Sequence, residues 1–100
     1  MAQVEGVKHA DLQAVAFHML SKCAEQTAAF EECYANNASA SKCAEEFKAV
    51  AACAKDLVAE AAAAAKEEWH HYTACLDMMG GKYSYCRPEK AAFDTAFPLE

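Results

Sequence analysis

Residues 23–53 read CAEQTAAFEECYANNASASKCAEEFKAVAAC, with cysteines at 23, 33, 43 and 53 and nine residues between each neighbouring pair. On a helix, ten residues rise about 15 Å and leave the second side chain about 80° from the first, so Cys23 and Cys33 share one apolar stripe. Cys43 and Cys53 stand in the same relation. The connection from Tyr34 to Lys42 is short and makes two such helices antiparallel. That arrangement brings Cys33 to Cys43 and Cys23 to Cys53, whereas pairing 23 with 43 would need a far longer return. The stretch therefore predicts an α-hairpin stapled at both ends. Leu20, Cys23, Thr27, Phe30 and Tyr34 form a helical seam, and Cys43, Phe47, Val50, Ala54 and Leu57 form its counterpart. Asn36, Asn37, Ser39 and Ser41 supply turn chemistry between them, with Ser39 or Ser41 as an expected N-cap.

Outward from the hairpin, Leu12, Val15, Met19 and Leu20 give a helical apolar face from about Asp11, preceded by an expected N-terminal arm over 1–10. After Cys53 no Gly or Pro interrupts the chain up to Met79, so residues 41–79 predict either one rod or two helices parted near Ala59 to Lys66. Gly80-Gly81 ends that helix, and Pro88 opens a last one to about Ala96.

A second hairpin lies in this half. Shifted by 42 residues, Cys33 lands on Cys75, and with one extra turn residue Cys43 lands on Cys86. Phe30 matches Tyr72, and Val50 matches Phe93. Cys23 and Cys53 land on Ala65 and Ala96, so the outer staple of the second hairpin is absent. Cys75 and Cys86 are read either as a disulfide or as two buried thiols, and the repeat favours the disulfide Cys75–Cys86. The expected fold is all-α, with two disulfide-stapled antiparallel hairpins in tandem over 11–60 and 61–100.

Composition explains why staples are needed. Alanine accounts for 25 of 100 residues and isoleucine is absent. An alanine interface buries little area at about 25 cal/mol per Å², whereas each disulfide contributes about 3 kcal/mol, not fully additive for overlapping loops. The net charge of −6 argues against nucleic acid as a partner. No apolar run approaches the ~18 residues of a membrane-spanning helix, and Met1 to Lys8 has neither the h-region of a secretory signal nor the basic pattern of a transit peptide.

Six paired cysteines imply an oxidising compartment. The combination resembles the twin Cys-x9-Cys proteins of the mitochondrial intermembrane space, where a thiol-oxidising relay traps small cysteine-paired chains. Within them it is most similar to the PGIV family of accessory subunits of respiratory complex I. The residues that carry the resemblance are Ala14 to Leu20; Cys23, Phe30, Cys33, Cys43 and Cys53; Tyr72, Thr73 and Cys75; and Cys86-Arg87 with Lys90, Ala91, Phe93 and Asp94. It departs from the family at Ala65 and at Ala96 or Phe97, where outer cysteines are usual. The resemblance implies a non-catalytic subunit without cofactor or metal, peripheral to the inner membrane. Its implied partners are other complex I subunits and, during biogenesis, the disulfide-relay oxidoreductase. Phe17, Trp69, Tyr72, Phe93 and Phe97 are the expected interface anchors, because a thin core leaves large side chains to spare.

Other chemistries fit less well. Zinc favours close pairs such as Cys-x2-Cys, and a redox enzyme wants Cys-x-x-Cys; neither is present. His70 and His71 point about 100° apart on a helix, which disfavours a shared metal. Glu31-Glu32, Glu45-Glu46 and Glu67-Glu68 read as solvated faces. No nucleophile–base constellation is identifiable. The alternative reading is an assembly factor or chaperone of a respiratory complex in the same compartment. A secreted disulfide protein, with a glycan on the Asn37-Ala38-Ser39 sequon, is the third.

Overall fold

A computed structural model describes residues 7–99; of the expected arm, residues 1–6 lie outside it. The described residues form helices α1 (His9–Ala14), α2 (Ala16–Lys22), α3 (Ala24–Asn37), α4 (Ala44–Ala64), α5 (Lys66–Met78) and α6 (Arg87–Ala96), with 3-10 turns at Ser41–Cys43 and Tyr83–Tyr85. No strand occurs among them. Disulfides join Cys23 to Cys53, Cys33 to Cys43 and Cys75 to Cys86, with Cα–Cα separations of 6.0, 5.9 and 6.0 Å. The chain is thus two stapled helical hairpins, α3–α4 and α5–α6.

The helical run 41–79 is divided, and the division falls at Ala65, which takes φ −134° and ψ 56°. Neither glycine nor proline is involved. The same kind of backbone precedes four other helices: Val15 (φ −99°, ψ 5°), Cys23 (φ −114°, ψ 22°), Cys43 (φ −108°, ψ 25°) and Cys86 (φ −123°, ψ 30°). Val15 apart, these are the repeat positions 23, 43, 65 and 86, so the cysteine repeat has a counterpart in the backbone. It extends to the helix ends. Ala38 is left-handed at φ 50°, and Gly80, 42 residues on, is left-handed at φ 65°. There the Gly81 N–H donates to Leu76 O at 2.7 Å, closing a Schellman turn.

The turn of the first hairpin differs from expectation in one respect. Ser39 and Ser41 bond each other through their hydroxyls at 2.9 Å, and no helix receives a side-chain cap from either. At the end of α3, Asn37 Nδ2 donates to Cys33 O at 2.9 Å, folding the side chain back onto the preceding turn of its own helix.

The core is off-centre. α1 lies on α5 and α5 on α6, and Val15, Leu57, Tyr72, Leu76, Phe93 and Phe97 pack there with Cys86. Two bonds tie α1 to the second hairpin: Tyr83 Oη donates to Gln13 O at 2.9 Å, and Gln13 Nε2 to Gly81 O at 3.4 Å. Burial raises the Asp11 carboxyl, with Asp77 adding to the effect, while the Lys8 N–H and charge oppose it. α3, by contrast, buries none of its residues.

Aromatic packing stands where the second hairpin lacks its outer disulfide. Phe93 meets Trp69 and Tyr72 at ring-centroid distances of 5.6 and 5.5 Å, and Phe97 at 5.8 Å. His18 stacks on Phe97 at 4.9 Å, and its Nε2 lies 2.7 Å from Phe97 O. Only an N–H can serve a carbonyl acceptor, so Nε2 carries the proton and the buried Nδ1 is left without a partner. Ser21 Oγ donates to Leu99 O at 3.1 Å. Helix α2 therefore clasps the end of α6, in the same core as the buried Ala65.

Candidate functional site: an open apolar groove

The five aromatic anchors expected from the sequence divide in the structure. Tyr72 and Phe93 are fully buried and Phe97 nearly so, all within the chain's own core. They are internal packing residues, which corrects their reading as anchors for a partner. Trp69 is half-buried against the same core. Phe17 alone presents its ring, at 41% exposure, with Tyr83 at 5.6 Å and Lys90 Nζ 4.8 Å above it. Lys90 is also held by Asp94 at 2.6 Å. The physical reason for the difference is that α5 and α6 lack an outer staple and need their large side chains between them.

The open surface lies elsewhere. The seam that periodicity assigns to the inside of the first hairpin is not closed. Leu20, Thr27, Phe47, Val50 and Ala54 line a groove of about 560 Å³ between the leading helices, α3 and α4. Leu12, Ala16, Met19, Ala24, Ala28 and Ala51 complete its apolar wall, and Glu31 is the ionised side chain in it. Leu20 stands at the groove with 76% of its surface exposed. Two staples fix α3 beside α4, but alanines face alanines along the way and cannot fill the space. The signal was present in the sequence as small residues at 24, 28, 51 and 54 next to the large seam residues.

The sulfurs of Cys33 and Cys43 and a carboxylate oxygen of Glu46 lie within 4.8 Å of one another. The two sulfurs are bonded to each other, so neither is the thiolate that a metal requires. His70 and His71 are both exposed, with rings 6.1 Å apart and tilted. Burial pushes the Tyr72 phenol far above its ordinary 10.0, helped by Tyr83 and Asp94, and burial also raises Tyr83. A phenol held protonated in a closed core serves packing, not proton transfer.

No protein-family model matches this chain, and no curated protein matches it either. Three disulfides in an all-helical frame, two of them bridging the evenly spaced cysteines of one hairpin, fit a fold of the twin Cys-x9-Cys type. Among the described residues no helix is long and apolar enough to cross a membrane.

Proposed function

We propose that the chain is a non-catalytic structural subunit of mitochondrial NADH:ubiquinone oxidoreductase, complex I. It would be of the PGIV kind (alpha-subcomplex subunit 8), peripheral on the inner membrane at its intermembrane-space face. There it clamps neighbouring subunits of the membrane arm, after oxidation by the resident disulfide relay. The observation that carries this reading is the pairing of two features. All six cysteines are consumed in staples, which removes every thiolate from redox or metal chemistry. The same staples hold open an apolar groove that the chain does not fill. Such a molecule is built to keep a shape and to receive a neighbour.

The groove also suits a free assembly factor that holds a subunit in transit. Native-gel separation of gently solubilised mitochondrial membranes, with the chain followed by mass spectrometry, tells the two apart. Constant stoichiometry with the core subunits of mature complex I is the expected result. Migration alone, or with partly assembled intermediates only, would replace the subunit reading by the assembly-factor reading.

A further inference from the structure

We propose that the groove between α2, α3 and α4 seats one amphipathic helix of a partner polypeptide. Its large apolar side chains turn inward, and a lysine or arginine at its edge meets Glu31. The inference deepens the subunit reading, but its physics requires only that the groove be a docking surface.

Shape is the first ground. On α3 the lining runs from Ala24 to Glu31, and on α4 from Phe47 to Ala54. Each stretch is about 10 Å long, two helical turns, which matches the i, i+3/i+4, i+7 spacing of a helix laid in a groove. The walls are dominated by alanine at 16, 24, 28, 51 and 54, so the bulk must come from the occupant. The volume of about 560 Å³ takes several Leu-sized side chains, being mid-range for sites that enclose ligands of roughly 300–1,000 Å³. Disulfides at both ends of α3 hold this surface in place before binding, which lowers the ordering cost of association.

Charge is the second ground, and it selects among apolar occupants. Glu31 is the ionised group of the lining, and no lysine, arginine or histidine accompanies it. A fatty acid or an anionic lipid headgroup would meet that carboxylate without a cation to receive it. Besides Glu31 the hairpin α3–α4 carries Glu25, Glu32, Glu45, Glu46, Asp56 and Glu60 against Lys42, Lys48 and Lys55, and Lys48 is already engaged by Glu45 at 3.3 Å. The field at the rim favours a cationic flank.

The test uses the full oxidised chain and three dye-labelled peptides followed by fluorescence anisotropy. One has Leu and Lys in helical register, one is its scramble of identical composition, and one has Glu in place of Lys. The registered Leu/Lys peptide is expected to bind at least about tenfold tighter than either of the others. Glu31→Lys is expected to reverse the preference between Lys and Glu peptides. Ala28→Trp, which fills the groove, is expected to weaken binding about tenfold, while Ala92→Trp on the exposed face of α6 leaves it unchanged. Should Ala28→Trp lose its helical circular dichroism, Leu20→Gln at the exposed rim carries the same expectation of weakening. Equal binding of the scramble would overturn the proposal, because charge alone would then explain the attraction. So would indifference to both Glu31→Lys and the groove-filling change. Co-migration with complex I without peptide binding would discard the helix and keep the subunit. Peptide binding without co-migration would do the reverse.

Discussion

Tyr72 shows how a single side chain resists assignment from sequence. Its place three residues before Cys75, beside Trp69, marks it as important, but importance for a partner and importance for the core look alike in one dimension. The structure buries it completely and leaves its hydroxyl without a hydrogen-bond partner. An unmet buried hydroxyl costs about 1–3 kcal/mol of desolvation, so Tyr72→Phe is expected to be neutral or stabilising by up to about 1 kcal/mol. Chemical denaturation under non-reducing conditions measures this. The pH dependence has a definite sign. Burial raises the phenol above its unfolded value of 10.0, so the folded state holds the proton more tightly than the unfolded one. Stability is therefore full below that value and falls as pH climbs above it. In Tyr72→Phe most of the alkaline loss should vanish, leaving the smaller contribution of Tyr83. An unchanged alkaline slope would show that Tyr72 is solvated.

At the scale of elements, the cysteine spacing was legible because ten residues leave a helical side chain about 80° from the first, within one apolar stripe, and the Cys23–Cys53 and Cys33–Cys43 pairs follow from that spacing with the short connection between the helices. The break at Ala65 was legible only as one of two alternatives, a division near Ala59 to Lys66 or one rod, since alanine has the best helix propensity and nothing local forbids the rod; packing against α1 and α6 decides it. The seam of the first hairpin was legible as a stripe but not as an open one, because periodicity reports which face is apolar and says nothing of what covers it. Two predictions belong here. Ala38 is held at φ 50° where Gly80 occupies the equivalent place, so Ala38→Gly is expected to stabilise by about 0.5–1 kcal/mol, net of the greater unfolded-state freedom of glycine. A thermal melt with the disulfides intact checks the sign. Gly81 is the converse, for its φ of 81° disfavours any side chain and a Cβ there would crowd the Gln13 amide. Removing the second hairpin's staple by Cys75→Ala with Cys86→Ala is expected to cost about 3 kcal/mol. The hairpin itself should persist, because Trp69, Tyr72, Phe93 and Phe97 clasp its other end; loss of α6 helicity by circular dichroism would contradict that.

For the whole molecule, burial is unevenly shared. The core gathers the leading helices and the second hairpin, whereas α3 has no buried residue and relies on its two staples. Amide hydrogen exchange is expected to follow this division, with 24–37 exchanging much faster than 66–78 and 87–96. Equal protection would mean that α3 is covered in solution. The even acidity of the chain concealed this asymmetry, because composition averages over halves that do different work. The half with the core needs little from outside, and the half with the groove is finished only when something lies in it.

Ala65 carries one more consequence. It adopts the bend found at Cys23, Cys43 and Cys86 with no sulfur to hold it there. The bend therefore comes from the way neighbouring helices pack and does not require a covalent bond. In a newly made, still reduced chain the same packing would turn the backbone at Ala65 and Cys86, which lie in the core, before any oxidant arrives. Cys75 and Cys86 would then be neighbours first and oxidation would record a pairing already chosen, whereas α3, without buried residues, waits for its two staples.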